Sequence, residues 1–361
     1  MSDAPLITFG LAALNQERFI RQAVESAFAQ TYSPLEIVLS DDGSEDATFE
    51  IIKEMAGAYR GPHRLILNQN PVRRSIGGHV NRIVEISSGE LIITAAGDDI
   101  SLPDRTLRTV EAWEASNRQA TSIHSRIFQI DENGNPIKEI FKDLCASAEG
   151  RFVEQKTTAC EYVRTLEPLV YGCANSFARS LFRQFGGLRE AIIHEDNALA
   201  LRSVLAGRMI LINEPLVKYR VHDTNISING QRRFTDLKSL ARQEDRWVRQ
   251  LKNRQIMYES FRPDLEQAKD AGLISPPEFG DAAAHCDRMA DRLSLMREFL
   301  TSGFIGKCKL ITRLNRLGLG KTELKTLRNR FLPRPLLLRV QLLRNYAAFA
   351  SGMRNRNSRL A

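Results

Sequence analysis

Strand-like and helix-like patterns alternate through the first hundred residues, and this alternation constrains the fold more than any other feature of the chain. Leu6 to Leu11 is a short apolar run. After Ala12-Ala13-Leu14-Asn15, the apolar residues Phe19, Ile20, Ala23, Val24, Ala27 and Phe28 recur at helical spacing. Thr31-Tyr32-Ser33-Pro34 closes that helix, and Leu35 to Ser40 reads as a second strand. A helix through Phe49, Ile51, Ile52 and Met55, a strand at Leu65-Ile66-Leu67 and a helix through Val80, Ile83, Val84 and Ile86 follow. Leu91 to Thr94 is then the fourth strand. Strands that alternate with helices of ten or more residues predict an α/β layer structure with a mainly parallel sheet flanked by helices and right-handed crossovers.

Acidic residues stand where this pattern leaves its strands. Asp41-Asp42-Gly43-Ser44 follows the second strand, and Gly97-Asp98-Asp99 follows the fourth. In an open α/β sheet, ligands gather outside the carboxyl ends of the strands, so paired carboxylates there suit a divalent metal and an anionic ligand. A plain structural role is also open. Asp98 and Asp99 can form a turn and cap the helix begun by Pro103 and Asp104, and Asp41 or, better, Asp42 can make an Asx turn with Gly43. The fold is not of the dinucleotide kind, since no Gly-x-Gly-x-x-Gly follows the first strand, and no Gly-Lys-Ser/Thr phosphate loop is present.

Taken in order, Ala13-Leu14-Asn15, Gln30-Thr31-Tyr32, Asp41-Asp42-Gly43-Ser44, Asn70 with Gly77, Gly89-Glu90 and Asp98-Asp99 followed by Pro103 resemble the inverting glycosyltransferase family 2, of GT-A fold. Phe185-Gly186-Gly187-Leu188, Glu195-Asp196 and Tyr219-Arg220-Val221-His222 with Asn225 and Ser227 resemble that family's acceptor-side motifs. The resemblance runs from about Pro5 to Asn229. It implies a GT-A catalytic domain over residues 1–230 and leaves 231–361 as a helical C-terminal extension.

The resemblance also implies roles. Ala13, Asn15, Asp41, Arg73, Arg74, Asp98 and Asp99 are expected to surround the nucleotide, with Asp41 accepting from the imide N–H of a uracil-type base. The family's metal motif is commonly Asp-x-Asp-Asp, and here Ala96 occupies the first acidic position. Asp98 matches the direct ligand, Asp99 supports it or takes over the missing contact, and His222 adds a nitrogen donor. Oxygen ligands suit Mg2+, and a histidine tilts the choice toward Mn2+. Asp196 matches the general base, beside Glu195, although acids in a first helical turn also simply complement the helix dipole. Tyr171, Asn175 and His194 are expected on the acceptor side. Cys173 is expected to pack, since inverting transfer needs no thiol nucleophile. The expected donor is a UDP-sugar, and the acceptor a glycan or polyprenol-linked sugar in surface polysaccharide assembly. Two other readings are a sugar-nucleotide nucleotidyltransferase, for which Ala12 to Asn15 lacks the Gly-rich basic loop, and a non-catalytic scaffold, for which Ala96 speaks.

Composition limits the partners. Five scattered cysteines, Cys145, Cys160, Cys173, Cys286 and Cys308, fit reduced thiols in a cytoplasmic protein. No long apolar run suggests a span, and Met1 to Pro5 lacks a basic region before an apolar core. The net charge of +8 is uneven: residues 301–361 hold 14 of the 51 Lys and Arg and one of the 43 acids. The first 300 residues are therefore net acidic, which argues against nucleic acid as a partner of the whole protein. From about Asp236 helical patterns follow one another, with breaks expected at Arg262-Pro263, Ser275-Pro276-Pro277, Gly318-Leu319-Gly320 and Leu332 to Pro335. Arg334 to Ala350 sets a wide apolar arc against Arg334, Gln341, Arg344 and Asn345. Such a basic amphipathic tail suits the anionic inner face of a membrane, or packing on protein, including a second copy of the chain.

Overall fold

The computed structural model describes residues 4–137, 150–223, 225 and 237–316. Its described residues fall into two compact units, one within Met1–Ile228 and Glu259–Cys286, the other within Asn229–Tyr258 and Asp287–Ala361.

The first unit opens with the expected alternation: β1 (Ile7–Ala13), α1 (Ile20–Phe28), β2 (Leu35–Asp41), α2 (Thr48–Ala58), β3 (Arg64–Gln69), α3 (Ile76–Ile86) and β4 (Leu91–Ala96). It continues through β5 (Ile100–Ser101), α4 (Arg105–Ala115), β6 (Ala120–Ile130), β7 (Phe152–Gln155) and α5 (Ala159–Thr165). A 3-10 turn at Gly172–Ala174 leads into β8 (Asn175–Ala178), α6 (Ser180–Phe185), α7 (Glu195–Ala206) and β9 (Arg208–Arg220). Helices α8 (Leu237–Asp270), α9 (Pro276–Thr301) and α10 (Phe304–Arg316) follow.

Among the described residues the strands form one mixed sheet in the order β3-β2-β1-β4-β8-β6-β9-β5, with β7 also paired to β9. The half β3-β2-β1-β4 is parallel, and β8 joins it antiparallel to β4. Strand order reverses beside β1, because the chain moves outward to β3 and then returns to place β4 on the other flank. That is the switch point where an α/β sheet opens a crevice.

Both faces of β1, β2 and β4 are covered, so these strands read as largely apolar runs. Ile7, Phe9 and Leu11 of β1 pack with Ile20 and Val24 of α1, Ile37 and Leu39 of β2, Leu91 and Ile93 of β4, and Trp113 of α4. Each such side chain stabilises the fold by roughly 1.5–3 kcal/mol on burial. The strands run further than their apolar runs suggest. β1 continues to Ala13 and β4 to Ala96, because the ladder pairs Ala13 with Asp41 and Ala12 with Ala96. Alanine has little strand preference, and neighbours on both sides override it.

One expected helix break is corrected. Pro263 lies inside α8, which runs unbroken across Arg262-Pro263. A proline removes one N–H and crowds the preceding turn, but Phe261, Leu265 and Ala268 are completely buried around it, and that packing holds the helix. The break at Ser275-Pro276-Pro277 is present, with Pro276 opening α9. In the second unit Met296, Phe299 and Leu310 form a small core with Leu251, Leu295 and Leu300. The amphipathic stretch Arg334 to Ala350, the expected breaks beyond Arg316, and Ser227 lie outside the described residues.

Candidate active site

The ladder brings the ends of β2, β1 and β4 level, and the loops beyond them carry the residues singled out in the sequence. Gly97 lets the fourth strand turn close against the first. A Cβ there would collide with Gln16 Oε1 and press on Ala13 and Ile20. Its N–H donates to Ala12 O at 2.9 Å, and Asp98 and Asp99 follow at once.

The two acids then take different directions. Asp98 Oδ2 lies 3.0 Å from His222 Nε2, with the two side chains 13% and 4% exposed. Asp99 instead turns into the protein, where its Oδ1 accepts the Arg220 N–H at 2.8 Å and its carboxyl meets the Cys173 thiol. Burial, with Asp98 next to it, pushes the Asp99 carboxyl up to about 8. Asp98 thus faces His222, while Asp99 holds the strand end that carries His222 through the Arg220 N–H.

Arg220 organises that loop. It is 1% exposed. Its Nε donates to Asp98 O at 2.8 Å, one terminal nitrogen to Gln22 Oε1 at 2.6 Å and the other to Glu132 O at 2.9 Å. Its guanidinium lies 4.8 Å from the Phe19 ring centroid, and the His222 ring packs 4.9 Å from the same ring. Below β4 sits a second buried guanidinium, Arg105, bonded to Ser101 Oγ, Thr94 O and Asn175 O, with burial lowering it to about 10. Arg105 belongs to no motif of the sequence. A basic residue in the first turn of a helix opposes the dipole, and that local misfit was the available signal.

The second acid pair opens α7. Asp196 Oδ1 accepts Asn197 N at 2.8 Å, and the Gly172 N–H also donates to the Asp196 carboxylate. Glu195 Oε1 lies so close to Gly172 that any Cβ there would strike it. Thr94 Oγ1, on β4, donates to Gly172 O and to Asn175 O. The consecutive residues Gly172 and Cys173 thus join the two acid pairs: Gly172 touches Asp196, and Cys173 touches Asp99. Withdrawal from water raises both α7 carboxyls, Glu195 to about 8 with Asp196 adding repulsion, and Asp196 to about 6 with the Asn197 and Gly172 N–H groups opposing.

Other expected residues fall as follows. Ala13 is buried, and its carbonyl accepts Asp42 N at 2.9 Å. Asn15 adopts a left-handed backbone (φ 51°), and its Oδ1 accepts Glu45 N. Asp41 is fully buried and makes the Asx turn itself, with Gly43 N at 3.1 Å, Ser44 N at 2.9 Å and Ser44 Oγ at 2.5 Å. That turn was expected of Asp42, whose Oδ1 accepts instead from Asn70 Nδ2 and Arg74 N. Arg73 and Arg74 are exposed beside this turn. Tyr171 is half-buried with its ring 6.2 Å from that of Tyr219, and His194 stands at the N-cap of α7. Asn175, expected on the acceptor side, lies inside the sheet. It is fully buried, and its Oδ1 accepts from Ser122 Oγ and Ser176 N, because β8 inserts it between β4 and β6. The Phe185 to Leu188 motif is likewise structural, since Asn81 pairs with both Leu188 N and Leu188 O.

Among the described residues no three His, Cys, Asp or Glu side chains form a self-sufficient metal site. Asp98 and His222 would together offer a divalent ion one oxygen and one nitrogen donor.

Comparison with known proteins places the chain in a family and a fold. EpsE of Bacillus subtilis, named as a glycosyltransferase, is 29% identical over 134 residues, which are 37% of this chain and 47% of that protein. The uncharacterized protein Mb1547 of Mycobacterium bovis is 40% identical over 212 residues, 58% of this chain and 56% of that protein. The matches thus span about half the length of these relatives. The mannosyltransferase PcManGT of Pyrobaculum calidifontis, solved with GDP-Man and Mn2+, superposes with a TM-score of 0.50 at 14% identity, covering 96% of this chain and 88% of that one. That likeness is one of fold, the GT-A fold. The model of glycosyl transferase family 2 matches residues 8–206, more than half of the sequence, and the chain belongs to that family.

Proposed function

We propose that this protein is an inverting glycosyltransferase that moves a sugar from a nucleoside-diphosphate donor to an acceptor hydroxyl, with Asp196 as general base and Asp98 with His222 as metal ligands. The observation that supports it best is the Gly172-Cys173 link, which ties the base to the acid pair at the switch point of the sheet. A divalent ion, Mn2+ by the nitrogen donor, supplies positive charge to the leaving diphosphate when bound.

The chain's own residues do the rest. Ala13, Asn15 and Asp41 line the loops beyond β1 and β2, where the nucleotide lies, and Arg73 and Arg74 stand at its open side. Asp196, ionised near neutral pH, takes the acceptor proton as the hydroxyl oxygen attacks the anomeric carbon and the nucleoside diphosphate departs from the opposite face. No covalent sugar intermediate forms. A placed base contributes typically ~10²–10⁴-fold. Burial and the neighbouring Asp196 charge push the Glu195 carboxyl up, which favours its protonated form beside the base. Tyr171 and His194 flank the acceptor.

By the resemblance the donor is a UDP-sugar, the acceptor a glycan or polyprenol-linked sugar, and the setting surface polysaccharide assembly at the inner membrane face. Calorimetry of UDP with and without Mn2+ tests the donor site. Binding is expected to need the metal and to weaken at least tenfold in His222→Ala; metal-independent binding of equal strength in both proteins contradicts the assignment. A hydrolysis screen over nucleotide sugars then identifies base and sugar together.

A further inference from the structure

Helix α7 carries the base in its first turn and a buried arginine in its second. Arg202 Nε donates to Asp264 Oδ2 at 2.8 Å and its NH2 group to Asp264 Oδ1 at 3.1 Å, a bidentate pair with side chains 4% and 6% exposed. The remaining donors reach Gly186 O at 2.8 Å and Gly187 O at 3.2 Å, and the guanidinium lies 5.6 Å from the Phe185 ring centroid. The fork is thus nearly saturated, which fixes its plane and with it the α7 backbone.

Asp264 lies on α8, outside the 8–206 stretch that defines the family. The same outside segment, 259–286, grips the neighbourhood of the base a second time. Glu278 Oε1, in the first turn of α9, accepts the Ala159 N–H of α5 at 3.1 Å, and the Cys160 thiol donates to Glu278 O. From α5, the Tyr162 hydroxyl donates to Asn197 O at 3.2 Å, next to Asp196. Helix α7 is therefore held by this segment directly at Arg202 and, by way of α5, indirectly at its first turn. With 1.5 Å of rise per residue, Arg202 sits about 9 Å along the axis from Asp196. A slide of the helix at Arg202 is transmitted almost undiminished to the carboxylate that meets Gly172.

We infer that Asp264, through Arg202, is a positioning element for the general base: the 259–286 segment sets the axial place of α7 and thereby holds Asp196 against the Gly172 N–H. This rests on the assignment of Asp196 as base. A buried bidentate pair that served folding alone can be replaced by apolar residues of similar volume with little loss or a gain of stability. One that sets a position cannot be replaced without cost to turnover, because a misplacement of about 1 Å lowers rate on the order of 10²-fold.

The test compares full-length Arg202→Met/Asp264→Leu with wild type and with Asp196→Asn, measuring thermal midpoint, UDP binding and turnover. Expected for the double variant are a midpoint equal to or above wild type, unchanged UDP affinity, and kcat lower by tenfold or more, with faster hydrogen exchange in residues 194–198. Wild-type kcat and exchange in the folded double variant overturn the inference. Asp264→Asn is a second probe, since it keeps the shape while weakening the pair. It is expected to lower kcat with UDP affinity unchanged, and a parallel fall in both marks a purely structural role and overturns the inference. If Asp196→Asn itself turns over normally, the base assignment fails instead, and the two failures are told apart.

Discussion

Glu195 and Asp196 are adjacent in sequence, and their shared withdrawal from water pushes both above the usual carboxylate range, but not equally. Asp196 receives Asn197 and Gly172 N–H groups and stays near 6; Glu195, crowded against Gly172 and repelled by Asp196, rises to about 8. Two carboxyls in one site with values pushed apart mark a division of labour. At neutral pH Asp196→Asn is expected to keep UDP binding and lower turnover by ~10²-fold or more. Glu195→Gln, which copies an already neutral acid, is expected to stay within about tenfold of wild type. Initial rates at saturating donor check both, and a Glu195→Gln loss as deep as that of Asp196→Asn contradicts the division. The same assignment gives a pH profile. A base must be ionised, so kcat/KM is expected to fall with a slope of one as pH drops through about 6.

At the level of elements, β8 wedges between β4 and β6 and carries polar groups into a dry interior. His124 on β6, paired in register with Asn175, is 4% exposed, and burial lowers it to about 4. The unfolded chain binds a proton at this residue near 6.5 and the folded chain resists it until about 4. The folded state therefore keeps its full stability above pH 6.5 and loses up to about 3 kcal/mol at this site as pH falls to 4. The thermal midpoint of wild type is expected to drop across that range, and less steeply in His124→Gln. Equal slopes in the two proteins place the acid sensitivity elsewhere.

On the scale of the whole molecule, a net-acidic catalytic part and a strongly basic end share one chain. Within the described part of that end, α10 exposes Ile305, Cys308, Lys309 and Arg313, which recur along one helix face, and buries Leu310. No described helix is long and apolar enough to cross a membrane. The face suits attachment to an anionic surface, where each nearby Lys or Arg contributes about 1 kcal/mol. Full-length protein is expected to float with phosphatidylglycerol vesicles, to be released by high salt, and to bind more weakly as Lys309→Glu/Arg313→Glu. Equal flotation with purely zwitterionic vesicles removes the electrostatic account.

The sequence by itself determined the alternating architecture, the acid pairs at the strand ends and the family. Those features are local: an apolar period, a Gly-Asp-Asp turn and a helix that opens with Glu-Asp can each be recognised within a dozen residues. It did not determine which partners each acid of a pair takes. Asp99 takes Arg220 and Cys173 as partners and Asp41 takes Gly43 and Ser44, and for Arg220 and Cys173 that proximity spans more than seventy residues of chain. Nor did the sequence show that Asn175 is a buried strut, that α8 passes through Pro263, or that Asp264 reaches α7. Only the tertiary structure decides such matters, because the direction of a side chain and the survival of a strained helix depend on which distant groups share the same dry space.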